Sequence, residues 1–181
     1  MNEHLAMDAA TMRRSVIRLA HEILENNPPT EPLALLGIHS RGVPLAQRLL
    51  KVILELDSQR NVLGSGSLDI SFHRDDWGSK LPVPQDTEVS FDIEGQRVVL
   101  VDDVLFTGRT IRAALNALND LGRPSVIRLA VLIDRGHRQL PIRADYVGKN
   151  VPTRFVDKVV CHLEEVDGED SVWVRSVEET A

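Results

Sequence analysis

The sequence predicts an α/β fold, with a mainly parallel central sheet flanked by helices and a small β subdomain. Three observations carry this expectation. The runs at 32–38 and 98–101 are continuously apolar, that at 126–133 is broken only by Arg128, and all three are rich in Leu, Ile and Val. Such runs read as strands buried on both faces. The first two each lead through a short polar loop into apolar residues at helical spacing, and strand–helix alternation is the mark of a parallel sheet. The tail, by contrast, alternates with period two on either side of Asp167-Gly168, which reads as an antiparallel hairpin.

Composition narrows the class. The 181 residues suit one domain over 1–181, and 43% hydrophobic with 27% charged residues is ordinary globular usage. Aromatics are only 4%, so the core is expected to be aliphatic. A formal net charge of −6 excludes a general nucleic-acid binder but leaves room for a local basic patch. Cys161 is the only cysteine, so there is no internal disulfide framework and a reducing compartment fits. Met1-Asn2-Glu3-His4 lacks a basic segment followed by an apolar one, and no apolar run is long enough to span a membrane. The expectation is a cytoplasmic protein with no membrane partner.

Taken in order, Asp8 can cap a first helix running to about Asn26, with Met12, Val16, Leu19, Ala20, Ile23 and Leu24 as its buried stripe. Arg14, Arg18 and His21 share another face; pattern alone makes that face solvated surface. The strand at 32–38 runs into His39-Ser40-Arg41-Gly42, and a second helix begins near Pro44 and continues through Leu56. A short loop carrying Arg41 at a helix start suits an anion. His39 has no ligand partner at useful spacing and reads as structural. Gly64-Ser65-Gly66-Ser67 precedes strand-like Leu68 to Phe72 rather than a helix, so it reads as a turn and not a nucleotide loop. Residues 73–85, with Arg74, Trp77 and Lys80, read as a long loop suited to a flap over an anionic substrate. A short strand is expected at 87–91 and a turn at 92–96. The helix after Thr110 stops at Gly122-Arg123-Pro124. After the strand at 126–133 comes Asp134-Arg135-Gly136-His137-Arg138, at the expected ligand edge, then short strands and turns to Val151.

The densest chemistry lies at 98–110. A buried strand is expected to end at Asp102-Asp103, followed by Val104, Leu105, Phe106, Thr107, Gly108, Arg109 and Thr110 and then a helix. Loop N–H groups and the positive end of the helix dipole can hold a phosphate. Gly108 permits close approach of backbone, and Thr107 and Thr110 add hydroxyls. The two carboxylates can accept hydrogen bonds from ribose hydroxyls or hold a hydrated Mg²⁺. No residue stands out as a general base.

This stretch resembles the phosphoribosyl pyrophosphate (PRPP) signature of type I phosphoribosyltransferases. A narrower resemblance covers nearly the whole chain. Arg14 to Ile23, Gly37 to Ala46, Asp69 to Asp76 and Asp134 to Asn150 join it in looking like the bacterial PyrR family, which pairs uracil phosphoribosyltransferase activity with attenuation of pyrimidine operons. The resemblance implies the type I phosphoribosyltransferase fold, a mobile flap at about 73–85 and a hood from about 135–181 to which the N-terminus can contribute. It implies that PRPP and uracil give uridine monophosphate (UMP) and pyrophosphate. Asp102 and Asp103 would contact ribose hydroxyls, Val104 to Thr110 the 5′-phosphate, and Ser40 and Arg41 the pyrophosphate. Arg74 would belong to the flap, and Arg135 and Val159 would border the base. Mg²⁺ would arrive with PRPP, held mainly by PRPP and water with no direct protein ligand. Uridine nucleotides would control binding of pyrimidine leader mRNA through Arg14, Arg18, His21, Arg138, Arg143 and Lys149. A homodimer able to pair into a tetramer is implied as well.

Three positions depart from the family pattern: Phe106 stands where Tyr is usual, Ser40 where Thr is usual, and Ile17 where Thr is frequent. The last removes one hydrogen bond available to RNA. The runner-up activity is a hypoxanthine-guanine phosphoribosyltransferase without an RNA role, against which the run from Asp134 to Asn150 argues.

Overall fold

The computed structural model describes residues 2–73 and 86–176. Along the chain lie β1 (Asn2–Asp8), α1 (Ala9–Asn26), β2 (Leu33–Ile38), α2 (Gly42–Leu56) and β3 (Val62–Leu68). They are followed by β4 (Arg97–Leu105), α3 (Arg109–Leu121), β5 (Val126–Asp134), β6 (Tyr146–Asn150), β7 (Lys158–His162), α4 (Glu164–Asp167) and β8 (Ser171–Ser176). The central sheet has the order β3-β2-β4-β5-β6 and every pairing in it is parallel. A second sheet, β1-β8-β7, is antiparallel. The predicted class is what forms.

The apolar runs are continuous because both faces of the central sheet are covered. On β4, Val99 and Val101 enter one core while Val98 and Leu100 enter the other. The first core receives α1, α2 and the small sheet, including Met7, Cys161 and Val172. The second receives α3 through Ile111, Ala114, Ala117 and Leu118. Each buried Leu or Ile contributes about 1.5–3 kcal/mol, so the two cores hold the sheet from both sides. Asp8 caps α1 as expected, accepting the Thr11 N–H at 2.7 Å. Gly42 lets α2 start against β4: a Cβ there would sit 2.3 Å from the Val101 carbonyl oxygen.

Several expectations change. The N-terminus forms a strand, β1, whose partner β8 lies at the far end of the chain. Gly64 to Ser67 is not a turn before a strand but the body of edge strand β3. Small residues are required there, since a Cβ on Gly66 would meet the Glu88 carbonyl oxygen at 2.7 Å and Leu36 Cδ2 at 2.9 Å. The strand expected over 68–72 ends at Leu68, because Asp69 Oδ1 accepts from the Ser71 N–H and hydroxyl and turns the chain into a 3₁₀ turn, Ser71–His73. Of the strand expected at 87–91 only one bridge forms, Ser67 to Glu88. The acid pair does not end β4; pairing continues through Val104 and Leu105 with Ile133 and Asp134. The tail hairpin forms, with α4 inserted in its connection. Of the expected flap only His73 lies within the described residues, and Arg74 is outside them. No described helix is long and apolar enough to cross a membrane.

Candidate active site

Parallel pairing brings the carboxyl ends of β2, β4 and β5 to one edge, where open α/β sheets bind ligands. Asp102 is buried and Asp103 partly so, near the end of β4. Burial pushes the Asp103 carboxyl above its ordinary value, against a side-chain hydrogen bond with Asp102, the Val104 N–H and the charge of Arg41, which favour ionisation. The Asp103 N–H in turn donates to Asp102 Oδ1 at 3.0 Å.

Beyond the acids the chain turns through Phe106-Thr107-Gly108 into α3. Gly108 caps the helix at φ +94°, left-handed backbone that side chains resist, with Ile142 and Leu140 directly over the place a Cβ would take. A cavity of about 110 Å³ lies inside this turn, between Asp102 and Ile111. The first four N–H groups of a helix have no intrahelical partner, so the turn supplies donors and a positive dipole end for an anion. Leu105 and Thr107 fasten the turn to the next segment by accepting from Arg135 N–H and from the N–H groups of Gln139 and Leu140.

The second loop, His39 to Arg41, lies between β2 and α2, and its His39–Ser40 peptide is cis. Gly37 and Gly42 press together there: a Cβ on Gly37 would lie 2.4 Å from the Gly42 carbonyl oxygen. Ser40 is exposed. Arg41 donates Nε and Nη2 to the two carboxylate oxygens of Asp167 at 3.0 and 2.6 Å, a partner from α4 that sequence spacing gave no sign of. His39 bonds the Asp86 carbonyl oxygen at 3.0 Å, in keeping with its structural reading.

Arg135 is almost fully buried. It donates to Thr153 Oγ1 and to the Arg154 and Phe155 carbonyls, and its guanidinium carbon stands 3.9 Å from the centre of the Phe106 ring. The Phe106, His137 and Phe155 rings meet with centroids 5.3–6.2 Å apart, and the His137 ring bonds the Thr153 carbonyl. His137 lies in the 134–138 run expected at the ligand edge, without a role of its own, whereas Phe155, an isolated aromatic between Arg154 and Val156, leaves no pattern to find. Val159 on β7 is partly buried against the first core. Among the described residues no group of three or more His, Cys, Asp or Glu side chains could hold a metal.

The six expected RNA-facing cations divide. Arg14, Arg18 and His21 lie exposed on α1 at spacings of four and three. Arg18 Nη2 reaches the Val147 and Gly148 carbonyls, next to Lys149, whose Nζ donates to the Ala6 carbonyl. Arg143 stands apart, exposed beside Ala144, which packs in the core on the α3 side of the sheet. Arg138 is taken up inside the site: it donates to the Phe106, Gly136 and Ile142 carbonyls and pairs with Asp134.

An acidic strand end beside an anion-holding helix start, faced by an Arg-bearing loop, defines a phosphoribosyl transferase. The phosphoribosyl transferase domain family matches residues 8–165, and the chain belongs to that family. More narrowly, it belongs to the PyrR family. It is 56% identical to the bifunctional protein PyrR of Thermus thermophilus over 173 residues, covering 93% of this chain and 94% of that one. With the PyrR of Chloroflexus aurantiacus it shares 53% over 175 residues, 96% and 95% of the two chains. Solved structures of hypoxanthine phosphoribosyltransferases from Trypanosoma cruzi and Staphylococcus aureus superpose with a TM-score of 0.72 each. Each covers 96% of this chain and 91% of its own, at 20% identity, a likeness of fold.

Proposed function

We infer that this chain transfers the phosphoribosyl group of PRPP to uracil, giving UMP and pyrophosphate, and that it regulates pyrimidine genes by binding leader mRNA in response to uridine nucleotides. The observation that carries this reading is the match, above 50% identity and across more than nine-tenths of the chain, to bifunctional PyrR proteins. The hypoxanthine enzymes share the fold at 20% identity, which does not transfer their base.

The site's parts fit this reaction. As the bond from ribose to pyrophosphate breaks, positive charge grows on the ring and negative charge on the leaving group. Asp102 and Asp103 sit where they can accept ribose hydroxyls and favour the cationic ring. Val104 to Thr110 hold the 5′-phosphate, and Ser40 and Arg41 receive the pyrophosphate. Arg135 anchors the Phe106–Phe155 wall against which the base lies, with Val159 on the hood side. The family resemblance assigns Arg74, outside the described residues, to a flap that would exclude water. The acid pair would meet a hydrated Mg²⁺ brought in by PRPP, which when bound would screen pyrophosphate charge. Arg14, Arg18, His21 and Lys149 form the basic face for RNA phosphates, with Arg143 on a second surface and Arg138 bracing the phosphate loop. The chain acts as one domain in a homodimer that can pair into a tetramer, in the cytoplasm.

The deciding assay offers uracil, hypoxanthine and guanine with PRPP and Mg²⁺. Conversion of uracil alone is expected; conversion of a purine in its place overturns the base assignment. For regulation, a gel shift against pyrimidine leader RNA should strengthen on adding UMP and weaken with salt. Binding that ignores the nucleotide overturns that half.

A further inference from the structure

The ion pair between Arg41 and Asp167 joins the loop before α2 to the hairpin between β7 and β8, 126 residues away. It is bidentate, so it fixes the plane of the guanidinium as well as its position. The two side chains are 29% and 18% exposed, which shields the pair from the full screening of water. Asp167 is itself held. Its Oδ2 accepts the Leu163 N–H at 2.9 Å, and its own N–H donates to the Leu163 carbonyl. The surrounding hairpin is anchored a second time: Arg48 of α2 reaches both oxygens of Glu165 and both of Asp170. The carboxylate is therefore placed before any ligand arrives.

What this leaves open is one edge of Arg41. Nε and Nη2 face Asp167, while Nη1 makes no hydrogen bond to any described residue. The guanidinium charge acts on Asp103 near the end of β4, so the arginine held by the hood hairpin is within electrostatic reach of the acid pair. A flexible arginine loses rotamer freedom on binding an anion, and one already held by a carboxylate has less to lose.

We propose that Asp167 is a positioning residue for the reaction: it locks Arg41 so that the Nη1 edge meets the pyrophosphate moiety of PRPP and of the product. This rests on the proposed pyrophosphate role of Arg41. It also ties the leaving-group loop to β7, the strand that carries Val159, so the base side and the pyrophosphate side of the site share one brace.

The test measures Mg-pyrophosphate binding and UMP binding by calorimetry, with steady-state kinetics beside them, on the full chain. Asp167→Asn should weaken pyrophosphate binding and raise KM for PRPP about tenfold, with UMP binding and KM for uracil unchanged. Asp167→Glu should recover part of the loss. Glu165→Gln, which loosens the Arg48 anchor alone, should lower Tm and leave pyrophosphate binding as it was. Tighter pyrophosphate binding in Asp167→Asn would make Asp167 a competitor of the ligand and overturn the proposal. Equal weakening by Glu165→Gln, or parallel loss of UMP binding, would reduce Asp167 to general support and overturn it too. A wild-type protein that binds pyrophosphate but converts no uracil defeats the base assignment and leaves this test intact; one that binds no pyrophosphate defeats the proposal.

Discussion

Two loops face the same ligand edge, and they are built by different means. The turn from Asp102 to Thr110 is shaped by backbone: a left-handed glycine, a helix start, and carbonyls pinned by neighbouring N–H groups. The loop from His39 to Arg41 takes its working geometry from a side chain fixed by a carboxylate 126 residues on. The first is local and hard to alter without strain. The second depends on the docking of a separate sheet, and so responds to whatever moves that sheet. A phosphate present in both substrate and product suits a permanent cradle. A pyrophosphate that must leave suits a grip assembled from side chains.

The largest effect should come from the acid pair, where the two loops meet. Asp103→Asn keeps the shape and removes the charge proposed to answer the cationic ribose. It should lower kcat with PRPP by about 10²-fold or more, on the scale of losing one electrostatic contact to the transition state. An unchanged rate of uracil conversion removes Asp103 from the mechanism. Next is Gly108→Ala, which places a Cβ on left-handed backbone 3.3 Å from Ile142. The strain is about 1–2 kcal/mol, read as a lower Tm together with a KM for PRPP raised about tenfold. A loop that absorbed alanine without either change would not be a backbone-shaped cradle, and the contrast would fail.

Arg48→Met should act on the other side of the comparison. It leaves Asp170, whose side chain is 18% exposed, with the Glu164 N–H but without its ion-pair partner, at about 1–3 kcal/mol. Because it removes the Asp170 pair that Glu165→Gln spares, as well as the Glu165 pair, the cost should appear in Tm first and, as the hairpin that holds Asp167 loses both anchors, in PRPP binding second.

Acid should separate the two regions in a definite order. For Asp167 and Glu165 the arginine hydrogen bonds come first, and they hold the carboxyls below 3.8 and 4.5. In Asp170 burial pulls upward, but the Arg48 contacts and the Glu164 N–H outweigh it, and the net direction is down from 3.8. The stability these three contribute is present above the unfolded values and is lost as pH falls through the lower folded ones. Asp103 is raised, so its ionisation costs stability as pH climbs from 3.8 through its folded value, and its protonation on the way down relieves the fold. Activity should therefore fail on acidification before circular dichroism shows unfolding. Coincident transitions would mean that the clamp and the acid pair titrate together.

This contrast also explains what the sequence made legible. The acid pair, Gly108 and the helix behind it are contiguous, so apolar run, charge and turn chemistry stand in one window. Arg41 reads as a candidate anion ligand because it too sits between a strand and a helix. Its partner is not legible, since Asp167 lies in an Asp-Gly that any hairpin could carry. Phe155 is hidden because an isolated aromatic leaves no pattern, and Arg138, expected among the RNA-facing cations, is turned inward by Asp134 and the Phe106 carbonyl. Glycine and serine at 64–67 read as turn formers, but they belong to β3 because the space beside Leu36 and Glu88 admits nothing larger at Gly66.

The smallest expected effect makes the sharpest test of that contrast. Ser40 is exposed, and its neighbour Arg41 takes its orientation from Asp167 rather than from the loop's own packing. Ser40→Thr keeps the hydroxyl and adds a methyl at an exposed position. KM for PRPP and pyrophosphate inhibition should both stay within about twofold, under about 0.4 kcal/mol, in line with surface changes away from structural features. A tenfold change would show that the loop before α2 is shaped as tightly as the turn at Gly108. The division between a backbone cradle and a side-chain grip would then have to be given up, and the departure at position 40 would become a determinant of how this chain handles pyrophosphate.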